Sequence, residues 1–104
     1  MDLGKADKVA CRTPTAGRDG VTHIPRWKYD AVRKAIVQSM TQQMGAPICF
    51  KELRLLAKTH MQDDELMRLG SWGWHFTTVK LNMEVEGELK RIKGVEPQQL
   101  ILSL

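Results

Sequence analysis

The chain has 104 residues, of which 42% are hydrophobic and 27% charged, with a formal net charge of +4. Those totals suit one soluble globular domain. They exclude a membrane span, because nothing approaches the ~18 consecutive apolar residues one needs, and two lone cysteines exclude a disulfide or metal framework. The opening MDLGKADKVACR lacks the apolar stretch of a secretory signal, so a cytoplasmic location is expected, with Cys11 and Cys49 as reduced thiols.

The charge is unevenly spread. Residues 1–35 hold eight basic and four acidic side chains, residues 36–50 hold none, and residues 51–104 hold eight of each. All the excess positive charge therefore lies in the first third, which favours an anionic partner there.

Residues 1–26 carry Pro14, Gly17, Gly20 and Pro25 and read as a basic, partly irregular arm, in which Val9, Ala10 and Cys11 allow one short edge strand. Residues 27–104 read as the folded domain. In WKYDAVRKAIVQSM, Tyr29, Val32, Ala35, Ile36 and Met40 recur at helical spacing, and Gly45 and Pro47 stop that helix. A trace of strand at Pro47–Cys49 precedes a second helix, FKELRLLAKTHM, whose start has no good capping residue. The acidic cluster Asp63-Asp64-Glu65 opens one further turn ending at Gly70. The third long helix runs from about Trp72, capped by Ser71, to Glu86. Gly87 follows it, where a left-handed backbone costs a glycine least. ELKRI and QLILSL, separated by KGVEPQ, then read as a β-hairpin.

Three helices, a trace of strand and a terminal hairpin are the order of a winged helix-turn-helix, an α+β fold, with residues 93–97 as the wing tip. The segments KYDAVRKAI (28–36), FKEL (50–53), TTVKLNMEVEGELKR (77–91) and EPQQL (96–100) resemble an uncharacterised family of small bacterial winged-helix proteins. The likeness spans roughly residues 27–100, and TTVKL followed by E-x-x-G is its most specific part. Asn82-Met83 replaces the Asp-Leu of that pattern, and Glu88-Leu89 stands where Gly- or Glu-Ile is commoner. The resemblance implies an architecture and no activity.

On such a fold the first functional expectation is double-stranded DNA, with the third helix in the major groove and the wing on phosphates. The expected contacts are Thr77, Thr78, Lys80 and Asn82 on the helix and Lys90, Arg91 and Lys93 on the wing, with Arg12, Arg18, Arg26 and Lys28 of the arm reaching for a minor groove. The helix is a poor reader of base edges, being short of Arg and Gln, and Glu84, Glu86 and Glu88 repel phosphates. About eleven residues also separate the second helix from the third, against three or four in a standard helix-turn-helix.

The alternative expectation is a non-enzymatic interaction or dimerisation module. Phe76, Val79 and Met83 form the core stripe, yet Trp74, Leu81 and Val85 form a second one, and Ile101 lies on the back of the hairpin. A helix apolar on two sides is normally covered on two sides. Either the N-terminal segment, through Val9, Val21 and Ile24, or a second copy of the chain should supply the cover.

No catalytic or metal-binding set is expected, and no cofactor. His23, His60 and His75 share no ligand spacing with each other or with the cysteines. Cys49 has no base proposed near it, and GSWG (70–73) is too short for a phosphate loop. The tryptophans at 72 and 74 read as packing groups rather than base-stacking ones.

Overall fold

A computed structural model describes residues 7–13 and 20–103. Its first element is a hairpin of β1 (Lys8–Arg12) and β2 (Val21–Pro25). Helices α1 (Arg26–Gln42), α2 (Phe50–Thr59), α3 (Asp63–Leu69) and α4 (Trp72–Val85) follow, with β3 (Ile48–Cys49) entering between α1 and α2. The chain then forms β4 (Leu89–Arg91) and β5 (Gln99–Leu102). Of the region expected to be a partly irregular arm, the short strand allowed at Val9, Ala10 and Cys11 is present as residues 8–12, and residues 21–25, expected to be irregular, pair with it antiparallel, Val9 opposite Ile24 and Cys11 opposite Thr22. Arg18 lies outside the described residues.

Alternation explains how a basic, proline-bearing stretch contributes to the core. Cys11 and Ile24 point inward and are buried, while Lys8, Arg12 and His23 on the other face stay exposed. The first helix presents Tyr29, Val32, Ala35, Ile36 and Met40 to the same core. Leu53 and Ala57 of α2 and Phe76, Val79 and Met83 of α4 complete it. Phe76 is wholly buried against the edge of Phe50, 5.4 Å between ring centres, and beside Trp72 at 5.6 Å.

The helix ends follow their local chemistry. Ser71 Oγ accepts the Trp74 N–H at 3.2 Å, the expected cap of α4. At the other end Gly87 has φ +81°, Glu88 N–H donates to the Met83 carbonyl at 2.8 Å and Gly87 N–H to that of Glu84 at 3.1 Å. That pair of bonds is a Schellman close, and it reverses the chain into β4. The acidic residues 63–65 do form the first turn of a helix, α3, in which the Gln62 N–H donates to Glu65 Oε1 at 3.0 Å.

A three-stranded antiparallel sheet follows the order β3-β5-β4, pairing Ile48 with Leu100 and Leu89 with Leu102. Leu89 and Leu100 turn their side chains into the helices. The fold is thus mixed α+β, with α4 packed between α1 on one side and strands β1 and β4 on others.

Candidate functional site

Helix α4 and the β4–β5 hairpin hold most of the residues expected to touch a partner, and the structure divides them sharply. Thr77 and Thr78 are half-buried, and Lys90, Arg91 and Lys93 are exposed on the hairpin. Lys80 and Asn82, expected on the outward face, are internal instead. So is His75, whose Nδ1 lies 2.7 Å from the Ser71 carbonyl oxygen.

Lys80 is 2% exposed, and its Nζ meets Glu84 Oε2 at 2.6 Å and donates to Gln98 Oε1 at 2.7 Å. It also lies 5.1 Å from the centre of the Phe50 ring. The Glu84 side chain is itself buried and forms a second ion pair with Arg91, so the carboxylate ties α4 to β4, while Lys80 carries the tie on to Gln98 beside β5. Burial pulls the Lys80 pKa down, and the Glu84 contact only partly opposes that. The inward turn has a helical cause: Lys80 stands four residues after Phe76, at the edge of the core stripe, and cannot escape it.

Asn82 occupies the other edge. Its Oδ1 accepts the Arg12 backbone N–H at 2.9 Å and its Nδ2 donates to Tyr29 Oη at 2.8 Å. One amide thereby joins β1, α1 and α4. Burial raises the pKa of Tyr29 and pushes the Cys11 thiol up to about 11.

The acidic residues expected to repel phosphates are partly spoken for as well. Glu88 holds Arg33 of α1 in a two-pronged ion pair, and Glu84 is internal, which leaves Glu86 exposed. Among the arm residues, Arg26 pairs with Asp7 at 2.5 Å, Lys28 Nζ donates to the Leu69 carbonyl at 3.2 Å, and Arg12 keeps an exposed side chain.

The second apolar stripe is only partly covered. The N-terminal hairpin packs on α4 beside Asn82, and Cys11 and Ile24 join the core. Trp74 remains 48% exposed and Val85 43%, with Leu81 and Ile101 half-buried. The two tryptophans of α4 therefore part company: Trp72 donates its Nε1–H to the Arg54 carbonyl at 3.2 Å and packs, whereas Trp74 faces outward with its ring edge-on to His75 at 4.8 Å.

Among the described residues no group of three His, Cys, Asp or Glu is placed to hold a metal, and no helix is long and apolar enough to cross a membrane. A small α+β domain emerges whose accessible surfaces include the outer side of α4, the hairpin cations and the rim of β1. The chain belongs to the family of unknown function DUF6958, whose family model matches residues 8–100 and so takes in the β1–β2 hairpin. No curated protein and no solved structure matches it.

Proposed function

We propose that the chain is a winged-helix domain without catalytic activity that acts as a protein-interaction module, pairing with a second copy of itself through the outer side of α4. The observation that carries this reading is the segregation on α4: the polar Lys80 and Asn82 point inward while Trp74 and Val85 point outward. The winged-helix part rests on element order, with a short strand after the first long helix, a hairpin after α4, and sheet order β3-β5-β4. Burying the exposed half of Trp74 and of Val85 on both copies is worth roughly 3–6 kcal/mol in all, enough to bias association. Sedimentation velocity should show a dimer forming through the micromolar range, and Trp74→Ser with Val85→Lys should leave monomer. A wild-type chain that stays monomeric at high micromolar concentration overturns the reading.

Double-stranded DNA is the second reading, favoured by the exposure of Lys90 and Lys93 on the hairpin. With Lys80 and Asn82 internal, binding of this kind would be electrostatic and indifferent to sequence. Fluorescence anisotropy on a random duplex at ~50 mM salt tests it: affinity should fall steeply toward physiological salt and with Lys90→Ala and Lys93→Ala.

A further inference from the structure

Among the described residues one edge of strand β1 pairs with no other strand, and the hydrogen-bond phase of the N-terminal hairpin says which backbone groups lie on it. Arg26 N–H donates to the Asp7 carbonyl at 3.0 Å, which makes the pair 7 and 26 a bonded one in the register that sets Lys8 opposite Pro25. Bonded and non-bonded pairs alternate in an antiparallel ladder. Val9 and Cys11 therefore bond toward β2, and Lys8, Ala10 and Arg12 turn their N–H and carbonyl groups away from it. The Arg12 N–H confirms the phase by donating to Asn82 on α4. Proline at 25 fits the same phase, since a non-bonded position asks for no N–H.

Ala10 thus presents its backbone to an open cleft of about 510 Å³ between β1, α1 and α4. The far wall of that cleft carries Asp30, Glu86 and Glu88 with Arg33, and Arg33 is engaged by Glu88. Asp30 and Glu86 are exposed, so the wall facing the strand edge has a net negative charge. An edge of unpaired backbone groups is a template for another strand. Here it stops at Arg12, where Asn82 occupies it, so only a short segment fits.

We propose that the outward edge of β1 at Lys8 and Ala10 is a strand-addition site for an extended segment of another protein, bearing lysine or arginine on the side that faces Asp30 and Glu86. Backbone bonds to Ala10 supply register, and the acidic wall selects the side chains. A second copy of this chain is the wrong occupant. Antiparallel pairing of two β1 edges about Ala10 sets Lys8 opposite Arg12 twice over, and like charges directly opposite repel. This site is separate from the outer side of α4 and does not depend on it.

Three fluorescein-labelled heptapeptides probe the site by anisotropy: alternating Lys-Thr, alternating Glu-Thr, and the Lys-Thr peptide N-methylated throughout, which keeps charge and loses backbone donors. The Lys-Thr peptide should bind saturably and about tenfold or more tighter than the other two. Asp30→Lys with Glu86→Lys should weaken it by a similar factor, and so should Ala10→Pro, which removes an outward N–H at a position where an edge strand tolerates proline. The paired lysine substitutions lie at exposed positions and decide the matter should Ala10→Pro fail to fold by circular dichroism. Equal binding of the N-methylated peptide, no effect of the paired lysine substitutions, or no saturation by about 1 mM peptide overturns the proposal. So does a wild-type dimer that Ala10→Pro converts to monomer. Trp74→Ser with Val85→Lys should leave peptide binding unchanged, so the two surfaces fail or succeed independently.

Discussion

Two β-hairpins dock on α4 by opposite means. The β4–β5 hairpin is fastened by charge: Glu84 is held between Lys80 and Arg91, and Lys80 reaches on to Gln98. The β1–β2 hairpin is fastened by neutral groups: one amide, Asn82, accepts from Arg12 and donates to Tyr29, beside the buried Cys11 thiol. A buried charge is costly to strand, because its desolvation persists after its partner has gone. A buried amide bond costs less to lose. The two attachments should therefore respond to different perturbations, one to removal of a partner and the other to alkaline pH.

Removing Glu84 is the harshest way to break that contrast. Glu84→Ala leaves Lys80 buried without its counter-ion and should cost about 3–5 kcal/mol in denaturant unfolding. Replacing both members, Lys80→Met with Glu84→Leu, should come close to neutral, and a large loss there would mean that the charges do more than compensate each other. Asn82→Ala comes next, at about 1–3 kcal/mol, since it leaves the Arg12 N–H and the Tyr29 hydroxyl to find other partners. A loss equal to that of Glu84→Ala would erase the distinction between the two docks.

A gentler probe is pH. The Cys11 thiol is raised by burial from 9.0 to about 11, so the folded state keeps a proton that the unfolded state gives up. The stability this represents is present below pH 9 and drains away as pH climbs through 11. Tyr29, also raised by burial, loses stability in the same direction. Lys80 works the other way, because its lowered pKa lets the folded state shed a proton first, so stability gains as pH approaches the ordinary lysine value. Thermal melts of the Lys80→Met, Glu84→Leu background should thus show the alkaline decline most clearly, and Cys11→Ala should flatten it. The smallest effect is expected for Arg91→Ala: its side chain is 40% exposed, and such pairs contribute about 1 kcal/mol or less.

The sequence was most informative where periodicity and end chemistry agreed. The core faces of α1 and α4, the Ser71 cap, the glycine close at Gly87 and the terminal hairpin were all legible, since each depends on neighbours a few residues away. The N-terminal hairpin was legible only in part: Val9, Ala10 and Cys11 allowed a short strand, but Pro14, Gly17 and Gly20 masked its partner at 21–25 and the burial of Ile24. The orientation of Lys80 and Asn82 was missed for another reason. A helix with one neighbour has one buried stripe, but α4 touches α1, β1 and β4, and its buried arc widens to take in the stripe's flanks. The i to i+4 spacing of Lys80 and Glu84, next to Phe76, was the available hint.

Strand β5 sits in the middle of its sheet, with β3 on one flank and β4 on the other, although it is the last of the three to be synthesised. During translation β3 must therefore wait for a mate about fifty residues downstream, and β4 for one emerging just behind it. Until residues 99–102 are available the helices can gather, but Ile48 and Leu89 have no ladder to join, so the sheet closes only after its central strand arrives.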